Sequence, residues 1–161
     1  MRVRALFLAT LLLAACGSEP VQEEGPPPLY KYTSMQDAVA EGQATLPVFW
    51  DAYHSGNSAY SDFALNIVTP SPRYSEEHVW LVDIRPSGEA AYSGRIPEQD
   101  EIEDGLAPGE IITFGAGQIA DWRYKEDGKY RGAYTSRAML GLAPTANLDN
   151  IKAMFHDSPL P

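Results

Sequence analysis

Ala120-Asp-Trp-Arg-Tyr-Lys-Glu-Asp-Gly-Lys-Tyr-Arg-Gly-Ala-Tyr-Thr-Ser-Arg137 reads as two short strands folded about Asp127-Gly128, a dipeptide that favours a tight hairpin turn. The length of the turn decides which side chains share a face. A two-residue loop of Asp127-Gly128 sets Trp122 and Tyr124 on the face opposite Tyr130 and Tyr134. A three-residue loop of Glu126-Asp127-Gly128, with Gly128 left-handed, gathers all four aromatics on one side. The second register is the expected one, because it makes a continuous aromatic core face. It also sets Arg123 against Arg131 and Lys125 against Lys129, like-charge pairs that each cost a little. The hairpin thus predicts a basic face of Arg123, Lys125, Lys129 and Arg131 in a chain that is otherwise acidic.

At the other end, Arg2 and Arg4 precede the apolar run Ala5–Leu13 and then Ala14-Ala15-Cys16, the layout of a secretion signal. The run is too short to span a bilayer. Leu13-Ala14-Ala15-Cys16 resembles the lipobox of bacterial lipoproteins, which implies cleavage before Cys16, lipidation of its thiol and attachment to the cell envelope. An ordinary cleaved signal with an incidental cysteine is the alternative. Gly17 after Cys16 points to the outer membrane, with the protein facing the periplasm. Cys16 is the single cysteine, so lipidation leaves no thiol for disulfide or redox chemistry.

Residues 1–15 are then a signal peptide, and residues 16–29 the lipidated cysteine with an acidic, proline-rich tether ending in Pro26-Pro27-Pro28-Leu29. Pro26-Pro27-Pro28 is read as spacer rather than as a proline-rich ligand. Residues 30–161 form one domain by size. The chain carries 12 basic against 22 acidic residues, a formal charge of −10, and loss of Arg2 and Arg4 makes the remainder more acidic. That balance argues against nucleic acid as a partner and against membrane attachment by charge; acyl chains suffice.

Within the domain, Ser34 with Asp37 three residues on marks a helix start. Met35, Ala38, Val39, Gly42 and Leu46 recur at helical spacing until Pro47 interrupts, and Val48–Tyr53 continues as a kink or as a second helix. Strands follow over Tyr60–Thr69, Glu77–Arg85 and Glu89–Ile96, with Ser87-Gly88 turning the last two. Glu77–Arg85 is apolar enough for a central strand. The loop Pro97–Asp104 is acidic but lacks the alternating aspartates and central glycine of a calcium loop, and is read as solvated. Glu110–Phe114 is a further strand. Gly115 and Gly117 are too few for a nucleotide-binding turn. Thr135 or Ser136 caps a short helix through Leu140, and Asn147–His156 makes a last one.

Six stretches in this order resemble the YegJ-like family of uncharacterised bacterial proteins. They are Ala44-Thr-Leu-Pro47, Glu77-His-Val-Trp-Leu81 with Asp83, Tyr92-Ser-Gly-Arg95, Pro108-Gly-Glu110, Ile119-Ala-Asp-Trp122 and Gly132-Ala-Tyr-Thr-Ser-Arg137. The resemblance spans most of Met35 to Leu140 and singles out His78, Trp80, Asp83, Asp121, Trp122, Tyr134, Thr135 and Arg137. It implies a compact α+β domain and brings no activity, substrate or catalytic residue with it.

Three features invite chemistry. His78 lies beside Glu76, Glu77 and Asp83, and strand parity puts it on one face with Trp80, Val82 and Ile84, away from Asp83. Asp121 could reach it from another strand, with Ser93 or Ser136 as nucleophile, but no nucleophile elbow or metalloprotease helix is present. A packed, hydrogen-bonded structural histidine is the expectation. Asp121 and Arg137 flank the hairpin as a structural ion pair; the sharper reading is a fork that orients a carboxylate or phosphate. The basic face either meets an anionic envelope ligand or protein, or is neutralised by the acidic loop Glu98–Asp104, and the latter is preferred.

The fold expected is α+β, an antiparallel sheet of about five or six strands with an N-terminal helix and short C-terminal helices. The function expected is a non-catalytic binding or accessory role in an envelope lipoprotein, without a cofactor or metal. A small hydrolase using His78 is one alternative. The other is an inhibitor or immunity-type protein with an exposed aromatic patch at Tyr130 or Tyr134.

Overall fold

The computed structural model describes residues 34–70, 76–98, 106–142 and 148–161. The signal, Cys16, the tether and most of the acidic loop lie outside these residues. Ser34 caps helix α1 (Met35–Ala44): its Oγ accepts from the Asp37 amide at 3.1 Å and donates to the Asp37 carboxylate at 2.7 Å. The interruption at Pro47 resolves into a second helix, α2 (Leu46–His54), with Thr45 as the joint and the proline in its first turn, where its missing N–H has no partner to lose.

Six strands follow: β1 (Tyr60–Thr69), β2 (Glu77–Pro86), β3 (Ala91–Arg95), β4 (Ile111–Gly115), β5 (Ile119–Glu126) and β6 (Lys129–Gly132). They form one antiparallel sheet in the order β4-β3-β2-β1-β5-β6. Phe49 of α2 packs with Leu65, Ile67, Val79, Leu81, Trp122 and Tyr124 in the core. Tyr53 of the same helix stacks edge-on against Phe63. Side chains alternate along a strand, so Ala64, Asn66, Trp80 and Arg123 belong to the face turned away from α2.

The hairpin takes the two-residue turn, not the three-residue one. Glu126 pairs with Lys129, Lys125 with Tyr130, Tyr124 with Arg131 and Arg123 with Gly132. Asp127 and Gly128 both have positive φ, 50° and 78°, the mirror-image turn whose twist matches that of the strands. The consequence is large: Tyr130 leaves the core face and joins Arg123 and Lys125, while Lys129 and Arg131 fall on the other side. The expected four-residue basic face does not exist.

A second departure lies in β2. Asp83 adopts φ 53° at a register break between Val82 and Arg85. This bulge rotates Ile84 onto the core face, where it is buried with Val79 and Leu81, rather than beside His78, Trp80 and Val82. Asp62 at φ 51° marks a matching break in β1 between Ser61 and Ala64. β2 is therefore covered fully on one side and partly on the other, since Trp80 is half-buried and His78 exposed.

Helix α3 (Tyr134–Leu142) begins before Thr135, and α4 spans only Leu148–Lys152. Beyond α4 the chain turns back along β6. The Tyr130 amide donates to the Met154 carbonyl, His156 donates to the Tyr130 carbonyl, and Gly132 donates to Pro159. This tail closes the outer edge of the sheet on that side. No helix among the described residues is long and apolar enough to cross a membrane.

Candidate functional site

The residues singled out by the sequence fall into two groups on either side of β5. The first is buried and structural. Asp121 sits at an irregularity in the β1–β5 pairing. Its carboxylate accepts from the Thr135 amide and hydroxyl, each at 2.7 Å, and from the Trp122 amide at 2.7 Å. It thus caps α3 from a distant strand, in place of Thr135 or Ser136 acting alone, and the helix dipole favours a negative group there. Burial lifts the Asp121 pKa to about 6, against the Thr135, Trp122 and Tyr134 hydrogen bonds that pull it down.

Trp122 locks the same junction from the core side. Its indole N–H donates to Thr45 at the α1–α2 joint at 3.0 Å, and Gly132 packs beneath its ring so closely that a Cβ would collide with it. Tyr134 is buried edge-on against Trp122, so it offers no exposed aromatic patch. Arg137 is wholly buried. Its guanidinium donates to the carbonyls of Gly132 (2.6 Å), His156 (2.9 Å) and Tyr130 (3.2 Å) and lies over the Phe155 ring. Asp121 and Arg137 thus tie different parts of the chain, one fastening a helix start and the other fastening the tail to the hairpin.

The second group faces away from α2. The Arg123 guanidinium lies 4.4 Å from the Trp80 ring and 5.0 Å from the Tyr130 ring, with the Lys125 ammonium 4.9 Å from the Tyr130 ring as well. Aromatic rings and cations alternate across β2, β5 and β6, above the small buried side chains of Ala64 and Asn66 in β1. Lys125 is held by Asp62 at 2.7 Å, a hydrogen bond that raises its pKa. Arg123 has no such partner: among the described residues it makes no ion pair, and its Nε is buried without an acceptor. On the other side Arg131 is neutralised by Glu126 at 2.7 Å and donates to the Ser158 and Leu160 carbonyls, while Lys129 is exposed.

His78 is exposed on this second face and its Nδ1 lies 2.7 Å from the Asn66 side-chain oxygen. Partial burial lowers its pKa, with Glu76 acting in the opposite sense. Asp121 pairs with Asn66 on the other side of β1, so a strand separates the histidine from the aspartate, whose oxygens are already engaged. Ser93 lies on β3, beyond β2, and Ser136 in α3. No hydrolytic set is brought together. Asp83 is turned to Arg95, at 2.6 Å. Among the described residues no group of three histidine, cysteine or acidic side chains could hold a metal.

Trp80 and Tyr130 are the partners that sequence reasoning did not give to Arg123. Recognising them required the strand order β2-β1-β5-β6, since Trp80 lies two strands away. Comparison with known proteins gives one match: residues 32–154 fit the model of a family described as an uncharacterised protein conserved in bacteria (DUF2314). No curated protein matches, and no solved structure matches. The chain belongs to the DUF2314 family.

Proposed function

We propose that this DUF2314 member is a non-catalytic binding module of the bacterial cell envelope, anchored by lipid at Cys16, that holds an anionic partner against Trp80, Arg123 and Tyr130. Arg123 carries the reading. Its guanidinium is desolvated on its faces by two rings and carries a charge that no carboxylate of the described residues neutralises. A guanidinium in that setting pairs with carboxylate or phosphate in a bidentate fork, and the rings keep it from collapsing onto its own strand. Lys125 on the same face is already paired with Asp62, and the exposed imidazole of His78 stands at the far end of that face. The anchor is supported by Leu13-Ala14-Ala15-Cys16 after a short apolar run, and the YegJ-like motifs are compatible with a binding role because they bring no catalytic set.

One labelling and capture experiment tests both parts. The full chain is expected to incorporate labelled palmitate and the Cys16→Ser form to lose it. The Cys16→Ser protein, used as bait in envelope extract, is expected to retain a partner that Arg123→Gln and Trp80→Ala each reduce at least tenfold, while Lys129→Gln leaves it within twofold. Equal retention by Arg123→Gln would sink the assignment of the surface.

A further inference from the structure

A cleft of about 310 Å³ lies at the opposite side of the molecule from that row, where the C-terminal half of α2 meets the β2–β3 turn. Its wall is aromatic and apolar: Trp50, Tyr53, His54, Ile84, Pro86 and Tyr92. The rings are nearly parallel, with Trp50 5.0 Å from Tyr92 at 21° and 5.8 Å from His54 at 20°. No carboxylate, lysine or arginine lines it, so nothing there would hold an anion or perform hydrolysis. The Tyr53 hydroxyl is already bonded to the Ile84 carbonyl at 2.5 Å. The Trp50 indole N–H and the Tyr92 hydroxyl have no partner among the described residues. An apolar cleft walled by stacked rings, with two unpaired donors and no carboxylate, lysine or arginine, suits a ligand that is rigid, apolar on its faces and rich in carbonyl acceptors.

A polyproline helix has that chemistry: its rings stack on aromatic side chains, its carbonyls are unpaired, and its shape is set before binding. The chain carries one such run, Pro26-Pro27-Pro28, ending six residues before Ser34. Six to eight extended residues reach about 19–25 Å at roughly 3.1 Å each. From Ser34 to Trp50 the path lies along two helices, at most about 24 Å at 1.5 Å per residue. We propose that the cleft is a polyproline receptor and that its occupant is the chain's own Pro26–Pro28, folded back from the tether. Docking in this way shortens the tether that would otherwise hold the domain away from its attachment point.

The indole N–H resonances of the three tryptophans in the full chain, in detergent, provide the test. Replacing Pro26, Pro27 and Pro28 together by alanine is expected to shift the Trp50 indole resonance while leaving Trp122 unmoved. Added Glu23–Tyr30 peptide should return the shifted resonance to its parent position. An unchanged Trp50 resonance in the triple variant overturns the proposal, as does a variant resonance that the peptide cannot restore. A parent resonance that moves on tenfold dilution makes the occupant a second copy and overturns the intramolecular assignment. A response to a chitin oligomer in place of the peptide makes the cleft a saccharide site and overturns it equally.

Discussion

Arg137 and Arg123 bracket the same hairpin, and the protein treats them differently. Arg137 is wholly buried and spends its guanidinium on the Gly132, Tyr130 and His156 carbonyls. Arg123 is half-buried between Trp80 and Tyr130, with no acceptor for its Nε among the described residues. A buried cation that donates from each of its three nitrogens to a backbone carbonyl is part of the scaffold, because removing it takes a charged donor from each of them. A cation flanked by rings but left unneutralised contributes less to stability, about 1–2 kcal/mol, and its geometry is of use chiefly to something outside the chain. The difference separates framework from surface without any knowledge of the ligand.

The sharpest way to break this comparison is to truncate both. Arg137→Ala is expected to cost about 3–5 kcal/mol in urea unfolding, since the Gly132 and His156 carbonyls lose this buried charged donor and the Tyr130 carbonyl keeps only the His156 amide. A loss below about 1 kcal/mol would remove Arg137 from the framework.

Asp121 sharpens the same side. Its folded pKa, about 6, lies above the ordinary value of 3.8, so between these values the folded state binds more protons than the unfolded one. Stability from this group is therefore present at low pH and is lost as pH rises from about 4 to 6, by about 3 kcal/mol in all. Asp121→Asn should remove that slope. The measurement is the difference between parent and variant urea midpoints at pH 4.5 and pH 7. His78, whose lowered pKa makes it lose stability as pH falls below 6.5, is common to both proteins and cancels.

The smallest effect is expected on the other side of the hairpin. Arg123→Met keeps the apolar stem between Trp80 and Tyr130 and should lower the unfolding free energy by less than about 2 kcal/mol. A larger loss would place Arg123 with Arg137.

Much of the scaffold was legible in the sequence because it is written locally. Ser34 and Asp37 announce α1, Pro47 announces the break, and the alternation of Phe63, Leu65 and Ile67 announces β1. The hairpin was legible too, but aromatic alignment and turn chemistry favour different registers, and the two-residue turn is the one adopted. Asp127 tolerates a left-handed φ better than most residues, and that local preference prevailed. The bulge at Asp83 could not be read, because nothing in Val82-Asp83-Ile84 departs from alternation. At the candidate site Arg123 and Lys125 were identifiable as cations out of keeping with an acidic chain. Their ring partners were not, since Trp80 reaches Arg123 only across an intervening strand. Nor was the tail, whose own part in the bonds to β6 is played by backbone groups and leaves no mark on its side-chain pattern.

That tail bears on the order in which the domain is made. Met154, His156 and Pro159, which cover β6, and the His156 carbonyl that holds Arg137, leave the ribosome only after the hairpin they close. Until they emerge, the hairpin keeps an open strand edge and Arg137 lacks one of its acceptors. We expect closure of the sheet edge to wait for these residues, so a chain broken off before Met154 would present an unpaired edge to proteases.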